Sequence, residues 1–205
     1  MKPVLVIFVK APRLGQVKTR LARDIGHVHA RRIYRAMSAK IIREMCDKRW
    51  QTVLYITPDM CVNADFGGLW PRGLPRMAQG DGDLSPRTAR IFSSKGPVIT
   101  IGTDTPSMKK QYIADGFKAL KTHKAVIGPA KDGGFWLLGL NGPVPARIFE
   151  GVRWSHPQTC QDMASRVPGT PAFLPMLNDI DTLQDWLAYQ RPCDKPFKTA
   201  PIAPV

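Results

Sequence analysis

The chain has 205 residues, 43% of them hydrophobic, and its 30 Lys and Arg against 16 Asp and Glu give a net charge of +14. This length suits a single domain with a sizeable core, and no apolar run reaches the roughly 18 residues that a bilayer span requires. The charge favours polyanions such as nucleotides, nucleic acid or anionic lipid, and it is equally compatible with a solvated basic surface. The basic residues are spread along the chain, which weakens the case for a single nucleic-acid-binding stripe.

The N-terminal segment predicts a buried strand, because Val4–Val9 is a run of apolar residues. Lys10 interrupts this run before it reaches the length of a signal-peptide core. The four cysteines are widely spaced and form no CxxC pair, which favours free thiols in a reducing compartment over a disulfide framework or a zinc site. We therefore expect a cytoplasmic protein without a membrane span.

Apolar runs and helical patterns then alternate along the chain. Strands are predicted at 4–9, 52–57, 97–101, 125–127, 135–140 and 173–177. Helices are predicted at 30–45, 84–93, 110–122, 158–167 and 183–189, where apolar residues recur at helical spacing. The segment 59–76 contains three Gly and two Pro and is predicted to be irregular. The alternation predicts an α/β fold with a mostly parallel central sheet and helices on both faces, over a domain at 1–189 with a Pro-rich tail at 190–205.

Ligands of such sheets bind beyond the carboxyl ends of the strands, and the first motif, KAPRLGQVKTRLA at 10–22, directly follows the first strand. It carries a glycine turn and four cations within eleven residues, a composition that binds phosphate through backbone N–H groups and charged side chains. It is not a Walker A loop, since Val17 rather than Gly precedes Lys18. An ordinary basic loop is the alternative. The predicted phosphate-binding residues are Lys10, Gly15, Lys18 and Arg20.

Two further motifs place carboxylates at strand ends. GTDTP at 102–106 follows the third predicted strand and projects Asp104, which suits a hard cation such as Mg²⁺ held by one or two carboxylates and substrate phosphates. Capping of the next helix is the alternative role for Asp104. NDIDT at 178–182 precedes the last helix, where Asp181 or Thr182 caps the helix and the remaining carboxylates are candidates for the metal.

The remaining motifs are rich in glycine. GPAKDGGFWLLGL at 128–140 predicts a hairpin, in which Asp132 either activates an acceptor or caps the turn. QGDGDL at 79–84 predicts either a turn over a base or sugar or a purely structural turn. The residues predicted from these segments and from RWSH at 153–156 are Gly80 and Asp83 for the nucleotide, and Gly133, Gly134 and Trp154 for the acceptor.

Taken together, KAPRLGQVKTRLA, QGDGDL, GTDTP, PAKDGGFWLLGL, RWSH and NDIDT resemble a known group over residues 1–189. The chain is similar to the bacterial glycosyltransferase-A-like transferases associated with radical-SAM and arsenosugar gene clusters, within the nucleotide-diphospho-sugar transferase superfamily. The layout is also similar to that of the molybdenum-cofactor and phospholactate guanylyltransferases. The family usually has GDLG followed by an acid and Arg, whereas this chain has GDLSPR.

The resemblance implies a Rossmann-like glycosyltransferase-A fold, a nucleotide at the first loop, and Mg²⁺ or Mn²⁺ at Asp104 with Asp181 as its second contact. The leading hypothesis is a metal-dependent transferase with Lys18, Asp104 and Asp132 as its catalytic residues. Its donor is a nucleotide-sugar in glycosyl transfer or a nucleoside triphosphate in nucleotidyl transfer, and its acceptor is a small molecule. The alternative hypothesis is a non-catalytic protein that binds nucleic acid or nucleotide.

Overall fold

The computed structural model describes residues 2–93 and 96–191. The strands within these ranges are β1 (Val4–Lys10), β2 (Gln51–Thr57), β3 (Arg76–Ala78), β4 (Pro97–Ile101), β5 (Ala125–Pro129), β6 (Phe135–Asn141) and β7 (Ala172–Phe173). The α-helices are α1 (Thr19–Ile25), α2 (His27–Met45), α3 (Leu84–Ile91), α4 (Lys110–Ala119), α5 (Thr159–Arg166) and α6 (Leu183–Gln190). Short 3-10 turns occupy Asp59–Cys61 and Ala146–Phe149.

These strands form one sheet in the order β3-β2-β1-β4-β6-β5-β7. β1 pairs in parallel with β2 and β4, β2 pairs in parallel with β3, and β5 pairs in parallel with β7. β6 runs in the opposite direction and pairs antiparallel with both β4 and β5. The predicted α/β fold with a mostly parallel sheet is therefore confirmed. The predicted hairpin is the β5–β6 pair.

The sheet is buried on both faces. Along β1, Leu5, Ile7 and Val9 belong to one hydrophobic core and Val6 belongs to another, because successive side chains of a strand point to opposite faces. Helices α2 and α4 contribute buried residues to the first core, and α3 and α5 contribute to the second. This burial on two sides explains why β1 and β4 are nearly uninterrupted apolar runs.

Two predicted segments differ from the structure. The segment 59–76, predicted to be irregular, contains the 3-10 helix Asp59–Cys61, and its last residue begins β3, which extends the sheet beside β2. Three residues are too few to show a periodic pattern. The strand predicted at 173–177 is shortened to Ala172–Phe173, and Leu177 makes only an isolated bridge with Ala130. Pro175 accounts for the break, because proline has no N–H group for a sheet hydrogen bond.

The predicted tail at 190–205 lies almost entirely outside the described residues. So does Cys193, whereas Cys46, Cys61 and Cys160 are free thiols. Among the helices of residues 2–93 and 96–191, none is both long enough and apolar enough to cross a bilayer.

Candidate active site

A cavity of about 650 Å³ lies at the carboxyl ends of β1 and β4. This is the edge at which parallel α/β sheets bind their ligands, and the volume is within the usual range for small-molecule sites. The loop after β1, the start of α3, the loop after β4 and the segment before α6 all contribute to its wall. Its polar lining includes Lys10, Lys18, Arg20, Tyr34, Gln79, Arg87, Asp104 and Asp181.

The loop after β1 is held in place by α2. The hydroxyl of Tyr34 donates to the carbonyl of Lys10 at 2.7 Å and accepts from its N–H at 2.9 Å. Burial raises the pKa of Tyr34, so the phenol keeps the proton that this bond requires. Arg31 donates from Nε to the carbonyl of Pro12 at 2.6 Å. These bonds fix the start of the predicted phosphate loop, while Gly15, at φ 75°, forms its turn.

Lys18 is the most closely held cation of the cavity. Its backbone is left-handed, with φ 48° and ψ 47°, directly before α1, and its side chain is 3% exposed. Its Nζ lies 2.5 Å from Asp104 Oδ1, 3.0 Å from Asp181 Oδ1 and 2.5 Å from the carbonyl oxygen of Ile180. Burial by itself would lower the pKa of Lys18, but the two carboxylates outweigh it and the pKa is raised.

The two carboxylates lie at the rim of the cavity. The side chains of Asp104 and Asp181 are 45% and 41% exposed, and Arg20 Nη1 lies 3.4 Å from Asp181 Oδ2. The N–H of Ile180 donates to the carbonyl of Asp104 at 2.9 Å. The loop after β4 and the segment before α6 are therefore joined through their backbones, and both face the cations of residues 10–20.

A third carboxylate, Asp179, lies beside this pair, and it is one of the NDIDT carboxylates that the sequence made candidates for the metal. Asp179 accepts a hydrogen bond from the hydroxyl of Thr105. Burial raises the pKa of Asp179 to about 6, and the negative charges of Asp104, Asp132 and Asp181 add to the effect. Because Thr105 adjoins Asp104, this bond also fixes the loop after β4.

The described residues contain no group of three or more His, Cys, Asp or Glu arranged to hold a metal ion. A divalent ion at Asp104 and Asp181 would thus need oxygen ligands from elsewhere. Mg²⁺ is commonly held in this way, by one or two carboxylates together with substrate phosphates. With such additional oxygen ligands, the carboxylates of Asp104 and Asp181 suit a hard cation.

The structure places Asp132 at the tip of the β5–β6 turn, where it is not part of the cavity lining but is close enough for its charge to act on Asp179. Its Oδ1 accepts from the N–H of Gly134 at 2.9 Å, which is the turn-capping role, and its side chain is exposed. Gly133 has φ 86°, and a Cβ atom there would overlap the backbone carbonyl of Pro157. The turn is consequently packed tightly against the loop that precedes α5, which contains Trp154.

The other predicted nucleotide and acceptor residues stabilise loops around the cavity. Asp83 caps α3 by accepting from the N–H of Ser85 at 2.9 Å. The N–H of Gly80 donates to Asp59 at 3.0 Å, and Nε1 of Trp154 donates to the hydroxyl of Ser85 at 2.8 Å. From 79–87 it is Gln79, Leu84 and Arg87 that line the cavity instead.

Arg87 is a cavity residue that sequence reasoning missed. Its Nη1 makes one long hydrogen bond, 3.4 Å, to the Oε1 of Gln79, and its buried Nε finds no partner among the described residues. No carboxylate of residues 2–93 and 96–191 lies within ion-pair distance of it. Arg87 is partly buried in the cavity wall and has no counter-charge there within the described part of the chain, an arrangement that favours a ligand oxygen as its partner. The available signal was the GDLSPR segment, where Arg87 follows Leu84 at a spacing of three on one helix face.

Solved structures resemble this fold closely. A protein of Desulfovibrio desulfuricans G20, described as a candidate nucleotide-diphospho-sugar transferase, is 26% identical with a TM-score of 0.81, over 93% of this chain and 87% of that one. The 4-diphosphocytidyl-2C-methyl-D-erythritol synthase of Anaerococcus prevotii is 14% identical with a TM-score of 0.57, over 92% and 96% of the two chains. Rv0371c of Mycobacterium tuberculosis H37Rv, solved with manganese, is 13% identical with a TM-score of 0.55, over 92% and 97%.

The fold and the cavity at its strand ends therefore place the chain in the nucleotide-diphospho-sugar transferase superfamily. More narrowly, it belongs to the family described as "Uncharacterized protein conserved in bacteria (DUF2064)", whose model matches residues 42–156, more than half of the chain. No curated protein matches the sequence significantly. The narrower resemblance to transferases associated with radical-SAM and arsenosugar clusters stays a prediction.

Proposed function

We propose that the protein is a cytoplasmic, metal-dependent transferase whose donor is a nucleotide-sugar or a nucleoside triphosphate. The observation that carries the proposal is the meeting of cations and carboxylates in one cavity, with Lys18 Nζ 2.5 Å from Asp104 Oδ1. A cavity of about 650 Å³ with this lining suits a ligand that combines several negative charges with a bound cation.

The cations would bind the donor's phosphates. Lys10, Arg20 and Arg87 line the cavity, and Lys and Arg bind phosphate oxygens by charge-assisted hydrogen bonds. In both kinds of transfer the leaving group carries phosphate on which negative charge grows. Fixed hydrogen-bond donors directed at such a charge stabilise the transition state, and loss of one typically lowers the rate by ~10²–10³-fold.

Asp104 and Asp181 would hold the divalent ion, Mg²⁺ or Mn²⁺, with the donor's phosphates completing its ligands. When bound, the ion would neutralise negative charge on the phosphate oxygens. Manganese is present in the structure of one protein with the same fold, which supports testing that ion first.

The acceptor would bind on the side of the β5–β6 turn, at Gly133, Gly134 and Trp154, with Asp132 receiving its proton. In nucleotidyl transfer, an acceptor phosphate or hydroxyl attacks the α-phosphorus and pyrophosphate leaves. In glycosyl transfer, an acceptor hydroxyl attacks the anomeric carbon and the nucleoside diphosphate leaves. The fold is compatible with both reactions.

The test is a thermal-shift panel of nucleoside triphosphates and nucleotide-sugars, each with and without Mg²⁺ or Mn²⁺. We expect one donor class to raise the melting temperature more when the ion is present, and that class distinguishes nucleotidyl from glycosyl transfer. Binding without turnover of any acceptor would favour a nucleotide-binding regulator. Stabilisation by RNA or DNA alone, falling steeply with salt and indifferent to metal, would favour the nucleic-acid alternative.

A further inference from the structure

The ammonium group of Lys18 occupies the space between the two carboxylates that the proposed function gives to a divalent ion. Its Nζ is within hydrogen-bond distance of Asp104, Asp181 and the carbonyl of Ile180. A lysine has three N–H donors, and here each one has an acceptor. In this arrangement Lys18 has no hydrogen left for a phosphate, and the carboxylate pair already has a cation.

The environment of Lys18 explains how this arrangement is maintained. Two carboxylates directed at one point repel each other unless a positive charge lies between them, and the buried ammonium supplies that charge. The left-handed backbone of Lys18 is unusual for a residue with a side chain. Such conformations persist where the surroundings hold them, and they are enriched at functional sites.

We propose that Lys18 is the resident counter-ion of the Asp104–Asp181 pair and competes with the divalent ion for it, so that the ion binds strongly only when the donor's phosphates draw Lys18 away. This inference rests on the proposed function, because it takes the pair as the metal site. It adds that metal and donor bind cooperatively. Because such coupling is reciprocal, each would strengthen the binding of the other.

The exchange is physically feasible because Lys18 moves from one anionic partner, the carboxylate pair, to another, the donor's phosphates. The ammonium leaves two carboxylates for phosphate oxygens, which accept hydrogen bonds of the same charge-assisted kind. Lysine carries its charge on a flexible four-carbon stem, so the ammonium can move while the backbone stays in place. The carboxylates, half-exposed at the rim, are then open to the divalent ion.

The first test measures Mn²⁺ binding without nucleotide by electron paramagnetic resonance. We expect Lys18→Met to bind Mn²⁺ roughly tenfold more tightly than the wild type, which is within the usual range of coupling between sites. Lys10→Met is the matched control, because it also removes one positive charge from the cavity wall but from a lysine without a carboxylate partner among the described residues. Equal affinity of wild type and Lys18→Met, or an equal gain in both variants, would overturn the exchange.

A second test needs no variant and so does not depend on whether Lys18→Met folds. The melting temperature of the wild type is measured with Mn²⁺, with inorganic tripolyphosphate, and with both. We expect the shift with both to exceed the sum of the separate shifts, and merely additive shifts would overturn the inference. If Mn²⁺ binds neither the wild type nor Lys18→Met, with or without tripolyphosphate, the metal role in the proposed function fails as well. If Mn²⁺ binds but the shifts are merely additive, only the exchange fails.

Discussion

Asp179→Asn tests whether the carboxylate beside Asp104 and Asp181 is held at a cost in stability. The substitution removes a charge from a site where burial raises the pKa to about 6, and it keeps an oxygen that can accept the hydrogen bond from Thr105. We therefore expect the variant to be more stable than the wild type, and increasingly so as the pH rises.

The sign and size of the effect follow from the pKa. A group whose pKa is higher in the folded protein than in the unfolded chain favours folding while it is protonated, and loses that contribution as the pH rises through the folded value. For Asp179 the pKa rises from its ordinary 3.8 to about 6. At ~1.4 kcal/mol for each tenfold change, the charged carboxylate lowers the free energy of unfolding by up to ~3 kcal/mol above pH 6. At pH 4 and below, the charged carboxylate lowers the free energy of unfolding by only ~0.5 kcal/mol or less.

The assay is thermal unfolding of wild type and variant between pH 4 and pH 8, with chelator present so that no divalent ion pairs with the carboxylate. For a protein of this size ~1 kcal/mol corresponds to about 2–4 °C. Asp179→Asn should gain on the order of 6–12 °C at pH 8 and about 2 °C or less at pH 4. Asp24→Asn, an exposed aspartate of α1, is the control and should show a small difference that does not grow with pH. A gain at pH 8 no larger than that at pH 4 would refute the reasoning.

Three further predictions concern separate parts of the site. Asp104→Asn should lower turnover of the donor found in the panel by ~10²-fold or more. It should also lower the melting temperature, because the buried ammonium of Lys18 loses one of its two counter-charges. Gly133→Ala should lower the free energy of unfolding, measured by chemical denaturation, by ~3 kcal/mol, because its positive φ and the steric overlap with Pro157 both act against a Cβ atom. Gly142→Ala is the control: Gly142 has φ 93° but open space around it, so the substitution should lower the free energy of unfolding by only ~1 kcal/mol. Arg87→Met should weaken donor binding in calorimetry by ~10-fold or more, the effect of a charged hydrogen bond, without lowering the melting temperature of the free protein. A lower melting temperature with unchanged affinity would instead make Arg87 a structural residue.

The fold was predictable because its elements have strong local signals. β1 and β4 are apolar runs bounded by Lys and Gly, and α2 repeats its buried residues at helical spacing over 19 residues. The exceptions are elements that depend on their neighbours. β3 exists because β2 offers it a free edge, and β7 ends where Pro175 interrupts pairing with β5.

The site was predictable in its residue types but not in its pairings. The rule that ligands gather at strand ends indicated the loops of Lys18 and Asp104, which do share one cavity. The contact between Lys18 and Asp181 joins residues 163 positions apart and depends on one left-handed backbone, which no local pattern reveals. Asp83 shows the converse, because its capping of α3 satisfies the same sequence pattern that suggested a nucleotide contact.

The two sides of the candidate site are supported by different parts of the fold, and this has a consequence for specificity. The proposed donor side depends on β1, α2 and the backbone bond between Ile180 and Asp104. The proposed acceptor side depends on the β5–β6 turn, where Gly133 packs against the loop before α5. Since the turn lies outside the cavity lining, changes in its exposed residues leave the cations and carboxylates in place. Under the proposed function, substitutions of the exposed residues of this turn would therefore change acceptor binding and leave donor binding unchanged.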